Sequence, residues 1–301
     1  MDLETVIQHV GSFGKYQKQL AALLWGLVSP FLGFVIYGNM LLLLTPDHWC
    51  NIPELGNLTS VERRRLAVPM ESNKGKIRYS QCYKYDVNFT QVLVESGSTF
   101  PNPDEDWPIV PCSEGWEYDY SLIYPTIVSQ WNWVCDDAWK TYFSYTVFWA
   151  GTSVGVIILG FMADMYGRVP VVVAGHLLCA VAGIATNFVY NFTGFLLTRF
   201  MMGFVMISQS MTAYVLVLEY VGTKQRLTVS TGYLYAYPLV GCILPWVAYG
   251  LRSWEAFNVA TCAPLIVIPL IVKFIPESLR WMVTHGKTVK AKKNSAENCS
   301  C

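Results

Sequence analysis

Hydrophobic residues are grouped along this chain in blocks long enough to cross a lipid bilayer. A helix needs roughly 20 apolar residues to do so, and six segments approach that length. They cover residues 19–44, 142–163, 169–190, 194–218, 229–249 and 256–274. Backbone groups in hydrocarbon must bond within their own segment, and these segments exceed the roughly ten residues of a membrane-barrel strand. The pattern therefore predicts an all-α polytopic membrane protein with six spans.

A polar stretch at residues 45–140 separates the first segment from the second and is long enough to fold as a small domain. Asn57 and Asn88 each begin an Asn-X-Thr triplet, the acceptor pattern for N-glycosylation, which predicts that this loop lies outside the cell. Four of the nine cysteines lie here, and in an oxidising compartment they allow three disulfide pairings, among which the sequence does not choose. They are Cys50, Cys82, Cys112 and Cys135.

Basic residues collect on one side of the predicted membrane. Lys15 and Lys18 precede the first segment, whereas the turns at 191–193 and 252–255 on the other side carry almost none. Short cytoplasmic segments are enriched in Lys and Arg, so we expect both termini in the cytoplasm, as an even number of spans requires. The expected organisation is a cytoplasmic N-terminus at 1–18, a first span at 19–44, an extracellular disulfide-bonded and glycosylated loop at 45–140, five spans within 141–275 and a cytoplasmic tail at 276–301.

Composition agrees with a lipid environment. Hydrophobic residues make up 53% of the 301 and charged residues 14%, too few to coat a water-soluble globule of this size. The first apolar run exceeds the roughly 7 to 15 residues of a signal-peptide core, so it is expected to remain as a span. The formal net charge is zero and no basic stripe is interleaved with aromatic residues, which argues against a nucleic-acid partner. The expected partner is the lipid bilayer.

Catalytic motifs are scarce. Residues 151–155, Gly-Thr-Ser-Val-Gly, have the spacing of a serine-hydrolase elbow, but that turn joins a strand to a helix, whereas this segment lies inside the second apolar run. Its glycines are instead spaced for close helix packing in lipid. The sequence has no HExxH, phosphate-binding loop or CxxC pattern. We therefore expect no enzyme, no metal site and no resident cofactor.

Some polar and aromatic side chains lie inside the apolar segments, where burying a charge is costly. Arg199 is near the outer end of the fourth segment, and we expect it to reach toward the interface. His176 is expected to be a packed, hydrogen-bonded residue rather than a proton relay. An aromatic face at bilayer depth can hold a quaternary ammonium, although most such residues serve packing. The candidate substrate-binding residues are Tyr37, Gln209, Ser210, Tyr235 and Tyr237.

Acidic and basic residues also occur together at the predicted cytoplasmic ends of the spans. At one level of the membrane such charges can pair across helices, and the alternative is that each is simply solvated at the interface. The residues are Asp164, Arg168, Glu219, Arg226, Glu277 and Arg280.

Short motifs follow one another along the chain. They are Gly11-Ser12-Phe13-Gly14 with Gln17, Thr45-Pro46-Asp47-His48 with Cys50, Trp131-Asn132-Trp133-Val134-Cys135, the stretch from Gly160 to Arg168, the stretch from Glu219 to Arg226, and Pro276-Glu277-Ser278-Leu279-Arg280-Trp281. In this order they resemble the motifs of organic cation and carnitine transporters of the major facilitator superfamily. The resemblance extends to about Lys287. It departs at Met165 and Val169, where relatives carry further basic residues, and at Ile207 and Ser210, where cation carriers have a lysine and an aromatic residue.

The resemblance implies a transporter in the plasma membrane. In that superfamily two six-helix bundles rock about a central site, and the charged residues above act as a conformational latch. The implied substrates are small organic cations or zwitterions such as carnitine, with sodium coupling in one branch. Family members continue into six further spans, so we expect this chain to be the amino-terminal half of a carrier. It would then pair with another carrier half or, alternatively, act as a non-transporting partner or regulator of a full-length carrier.

Overall fold

The computed structural model describes residues 13–73, 76–96, 100–104, 106–272 and 275–287. The first two residues of the Gly11 motif, residues 273–274 of the predicted sixth span and the tail from residue 288 onward lie outside these ranges. Contacts within the chain define two compact units. The helical unit comprises Met1–Leu42 and Tyr142–Cys301, and the loop unit comprises Leu43–Thr141.

Six helices among the described residues are long and apolar enough to cross a bilayer, which confirms the predicted number of spans. In chain order they are α1 (Lys15–Leu42), α2 (Trp139–Tyr166), α3 (Arg168–Ala185), α4 (Phe192–Tyr220), α5 (Thr223–Leu251) and α6 (Trp254–Val272). A π-helical turn at Leu24–Val28 lies within α1, and a 3₁₀ turn at Ala263–Ile266 lies within α6. α1 begins at Lys15 rather than residue 19 because the helix continues past its apolar core into polar turns, whose long side chains can reach an interface.

Helices α2 and α4 pack with their backbones close together. A Cβ atom at Gly155 would collide with the carbonyl oxygen of Phe204, and one at Gly203 would collide with that of Phe148. Thr152 Oγ1 donates a 3.1 Å hydrogen bond to the Gly203 carbonyl across the same contact. The glycines of this segment serve helix packing, as predicted, because a side chain would prevent the approach.

The loop unit contains short strands that pair two by two in antiparallel ladders. The strands are β1 (His48–Cys50), β2 (Met70–Asn73), β3 (Lys76–Tyr79), β4 (Tyr83–Tyr85), β5 (Ile109–Pro111) and β6 (Trp116–Tyr118). β1 pairs with β6, β2 with β3 and β4 with β5. Short helices cover Ser60–Ala67, Phe89–Ser96 and Ile127–Gln130. Leu55 and Leu66 are buried in the core of this unit.

Two disulfides cross-link the loop unit. Cys50 bonds to Cys112 and Cys82 bonds to Cys135, with Cα–Cα distances of 5.2 and 5.7 Å. Among the three pairings that the sequence left open, the structure has the one in which the two bridges interleave along the chain. The bridged cysteines are 62 and 53 residues apart, so each bond removes much conformational freedom from the unfolded chain.

Candidate functional site

The ends of α2, α3 and α4 meet around Arg168, the first residue of α3. Only Gly167 separates α2 from α3, and its φ of 112° favours glycine. Arg168 Nη2 lies 3.1 Å from Asp164 Oδ1 and 3.4 Å from Glu219 Oε1. The side chains of Arg168 and Glu219 are 14% and 10% exposed, and that of Asp164 is 74% exposed. The ion pair with Glu219 is therefore shielded from water, whereas solvent screens the one with Asp164.

Glu277 joins this group through the backbone. Its carboxylate accepts hydrogen bonds from the N–H groups of Arg168 at 2.9 Å, Val169 at 3.1 Å and Ser278 at 3.0 Å. A negative charge at a helix N-terminus satisfies unpaired N–H groups and interacts favourably with the helix dipole. Glu277 therefore caps α3.

The segment after α6 is bonded to the same helix ends. Tyr220 donates a 2.8 Å hydrogen bond to the carbonyl of Glu277, and Trp281 Nε1 donates one of 2.8 Å to the carbonyl of Asp164. Trp281 lies in a short helix at Leu279–Thr284. These bonds, from α4 to the segment and from the segment to α2, hold the Glu277 carboxylate at the start of α3.

Two of the six residues predicted to form the latch do not pair with the others. Arg226 Nε donates a 3.3 Å hydrogen bond to the carbonyl of Val221, and Arg280 is exposed. Neither arginine forms an ion pair within the described part of the chain. The structure brings together the other four, here termed the junction cluster: Asp164, Arg168, Glu219 and Glu277.

The candidate substrate-binding residues are divided among different places in the helical unit. Tyr37 of α1 and Tyr237 of α5 stack, with ring centroids 6.2 Å apart and planes inclined by 16°. Both are half-buried. Tyr235 is two residues from Tyr237 and therefore about 200° around the helix, where it is 72% exposed. The structure does not place Tyr235 beside the stacked pair.

Gln209 and Ser210 of α4 are buried, at 2% and 1% exposure. Gln209 lies against α3, since a Cβ atom at Gly175 would be only 2.9 Å from the Gln209 Cβ. Gln209 therefore occupies a helix–helix contact, the packing role that the sequence left as the alternative.

Arg199 of α4 is completely buried, so the expectation that it reaches the interface is wrong. Its guanidinium donates hydrogen bonds to Asn39 Oδ1 of α1, at 3.1 Å, and to Thr186 Oγ1 at the end of α3. It also lies 4.9 Å from the centre of the Phe195 ring. These neighbours supply acceptors at the depth of the guanidinium, which makes extension toward water unnecessary.

No carboxylate pairs with Arg199 among the described residues. A buried charge with only neutral partners is costly, which makes Arg199 a candidate functional residue of its membrane span. Sequence reasoning missed Asn39 and Thr186, although an asparagine inside the apolar run of α1 was an available signal. His176 is buried and its Nδ1 lies 2.7 Å from the Val172 carbonyl, which confirms the predicted packed and hydrogen-bonded role.

A family profile described as "Sugar (and other) transporter" matches residues 109–299. The chain belongs to this transporter family. The match contains the whole junction cluster and Arg199, while Asn39 precedes it. Membership of the major facilitator superfamily and the resemblance to organic cation and carnitine transporters, both expected from the motifs, are confirmed.

Curated proteins that are similar in sequence to this chain are transporters. A β-alanine transporter from Drosophila melanogaster is 31% identical over 308 residues, which are 97% of this chain and 50% of the relative. Organic cation/carnitine transporter 2 from Homo sapiens is 30% identical over 304 residues, or 96% of this chain and 52% of the relative. The chain thus spans about half the length of the curated relatives it matches. Among solved structures, the inward-open xylose transporter XylE from E. coli aligns with a TM-score of 0.45 at 15% identity, over 57% of this chain and 47% of that one.

Proposed function

We propose that this protein takes part in transport of small organic cations or zwitterions, such as carnitine, across the plasma membrane by alternating access. The observation that carries the proposal is the junction cluster. Arg168 joins α3 to Glu219 of α4, and Glu277 joins the segment after α6 to the start of α3. Contacts of this kind hold helix ends together in one state and must break before the ends separate.

The substrate class is supported by chemistry in the helical unit and by the relatives. The stacked rings of Tyr37 and Tyr237 offer aromatic surface to a quaternary ammonium group. The names of the relatives refer to β-alanine, organic cations and carnitine, and the first and last of these carry both charges. Coupling of uptake to sodium is a further part of the proposal.

The proposed orientation places both termini in the cytoplasm and the loop unit outside. Asn57 and Asn88, the proposed glycosylation sites, are both exposed in the loop unit. We expect each Asn→Gln change to remove one glycan, so that the protein migrates faster on a gel. Glycosidase treatment of the unmodified protein should produce a larger shift, because it removes both glycans. Unchanged mobility of both single variants and the double variant would contradict this orientation.

The transport proposal is tested by uptake in cells that make residues 1–301. Labelled carnitine and tetraethylammonium are offered with and without sodium, and surface biotinylation measures the protein at the membrane. We expect saturable uptake above that of untransfected cells, with carnitine uptake reduced when sodium is replaced. Surface protein without saturable uptake would favour the second candidate, a non-transporting partner or regulator of a full-length carrier.

Charge-reversal variants link uptake to the junction cluster. Glu219→Lys should reduce turnover at least tenfold at equal surface expression, because it replaces attraction to Arg168 by repulsion. Arg226→Glu is the matched control, since Arg226 forms no ion pair in the described structure. The combined change Arg168→Glu with Glu219→Lys should recover part of the lost uptake. Equal loss in Glu219→Lys and Arg226→Glu would contradict the latch role of the cluster.

A further inference from the structure

A cavity of about 670 Å³ lies within the loop unit. It is lined by β1, by the hairpin of β2 and β3, by the turn into β4, and by Arg64 from the helix Ser60–Ala67. All of its lining residues belong to the loop unit, so it is separate from the residues of the transport proposal. Its volume is enough for a small organic solute.

Three consecutive arginines on that helix have different surroundings. Arg63 forms a two-point ion pair with Glu117, through Nε at 3.2 Å and Nη2 at 2.5 Å. Arg65 donates a 3.1 Å hydrogen bond to Asn102 Oδ1. Arg63 and Arg65 therefore have polar partners, and neither lines the cavity.

Arg64 lines the cavity and is held there by aromatic rings. Its guanidinium carbon lies 4.5 Å from the centre of the Trp49 ring and 5.2 Å from that of Tyr79. The Nε–H is buried and has no hydrogen-bond partner in the described part of the chain. Ring faces stabilise the charge but cannot replace an acceptor, so the guanidinium that lines the cavity has no carboxylate partner in the described structure.

The cavity contains charges of both signs. Asp47, Glu71 and Arg78 line it together with Arg64, and no two of these four form an ion pair with each other in the described structure. Asp47 Oδ1 accepts a 3.2 Å hydrogen bond from Gln81 and is otherwise exposed. Glu71 and Arg78 lie opposite each other in the β2–β3 ladder, whereas Asp47 and Arg64 form no ion pair in the described structure and so offer one anionic and one cationic group to a ligand that itself carries both.

We propose that this cavity is a binding site for a small zwitterion, with the ligand carboxylate on Arg64 and its cationic end toward Asp47 and Glu71. A simple carboxylate would leave Asp47 without a cationic partner, and a simple cation would leave the Arg64 guanidinium without a carboxylate. The zwitterion is therefore favoured over either alone.

The experiment measures binding rather than uptake, and variants at Arg64 and Tyr37 distinguish the cavity from the site of the transport proposal. The full chain in lipid nanodiscs is dialysed against labelled β-alanine, with acetate and ethylammonium as single-charge probes. We expect saturable binding of β-alanine that is at least tenfold tighter than that of either single-charge probe. Arg64→Gln should weaken β-alanine binding at least tenfold, while Arg65→Gln, the matched control, should bind like the unmodified protein.

Further variants test the acidic side of the cavity and the alternative site at the stacked tyrosines. If Arg64→Gln fails to form the Cys50–Cys112 bond, Asp47→Asn and Glu71→Gln replace it, and each should weaken binding of β-alanine but not of acetate. Binding that depends instead on Tyr37 and Tyr237, shown by a loss in Tyr37→Ala and none in Arg64→Gln, would overturn the cavity as the site. Absence of saturable binding, or equal binding of acetate and β-alanine, would also overturn it.

Discussion

Glu277 accepts a 2.9 Å hydrogen bond from the backbone nitrogen of Arg168, and the Arg168 side chain pairs with Glu219 instead. Besides Asp164, which pairs with the same guanidinium, Arg168 thus contacts two acids, Glu277 at its backbone and Glu219 at its side chain. The first arrangement caps a helix, and the second joins two helices. Loss of either acid should therefore have different consequences, which can be measured separately.

Removal of the Glu277 carboxylate should destabilise the helical unit. We expect Glu277→Ala to lower the free energy of unfolding by about 1–2 kcal/mol, because two N–H groups of α3 lose their acceptor. Glu277→Gln should cost less, since the amide oxygen still accepts a hydrogen bond. Thermal unfolding in detergent micelles measures the relative stability of these variants. Arg280→Ala is the neutral control, because Arg280 is exposed. Equal stability of Glu277→Ala and Arg280→Ala would contradict the capping role.

Buried Arg199 makes the stability of the helical unit depend on Asn39. Asn39→Ala should cost roughly 1–3 kcal/mol, because a buried guanidinium donor loses its acceptor. Asn39→Asp should cost less than Asn39→Ala, since a carboxylate can accept the same bond and balance the charge. Met40→Ala, one residue further along α1 and 53% exposed, is the control and should be close to neutral. If Asn39→Ala were as stable as Met40→Ala, the bond would not contribute to stability.

The sequence predicts best what depends on local spacing. The six spans follow from the lengths of apolar segments, and the closeness of Asp164 to Arg168 follows from their separation of only four residues along the chain, across the turn at Gly167. The close approach at Gly155 also follows from a local pattern. The signal for each of these features lies in one short continuous stretch of the chain, even where the contact itself reaches another helix.

Other features depend on residues far apart in the chain and could not be read from spacing. Asn39 and Arg199 are 160 residues apart, and Glu277 and Arg168 are 109 apart. Tyr235 looked equivalent to Tyr237 because both are tyrosines at bilayer depth, but a two-residue offset turns them to opposite sides of α5. Which of them meets Tyr37 is decided only when α1 packs against α5.

The disulfide pairing predicts a pattern among cysteine variants. Cys50→Ser, Cys112→Ser and the double variant should lose the same stability, because each removes one bond. In the chain-entropy account that loss is roughly 4 kcal/mol for a loop of this length. Combining Cys50→Ser with Cys82→Ser removes both bonds and should reduce surface expression further.

Peptide mapping under non-reducing conditions checks the pairing directly. The expected fragments join Cys50 to Cys112 and Cys82 to Cys135. A fragment that joins Cys50 to Cys82 would contradict the structure. Equal surface expression of Cys50→Ser and of the variant that combines Cys50→Ser with Cys82→Ser would show that loss of the second bond does not impair folding further.

His48 should make the loop unit sensitive to mild acid. Burial lowers the pKa of His48 below its ordinary value of 6.5, and the hydrogen bond to the Pro46 carbonyl and the nearby charge of Asp47 oppose that effect only in part. The ring also packs against Trp116 and Tyr118. The neutral imidazole is therefore the form that the folded loop unit favours.

The sign of the pH dependence follows from this direction. Because the unfolded chain binds the proton more tightly, the contribution of His48 is fully present above pH 6.5 and is lost as pH falls from 6.5 through the lowered pKa. Hydrogen exchange of the loop unit at pH 7.5 and 5.5, corrected for intrinsic exchange rates, should show weaker protection at the lower pH. His48→Gln should reduce this difference, whereas His285→Gln, at an exposed position outside the loop unit, should leave it unchanged. A loss of protection that persists in His48→Gln would assign the effect to other titrating groups.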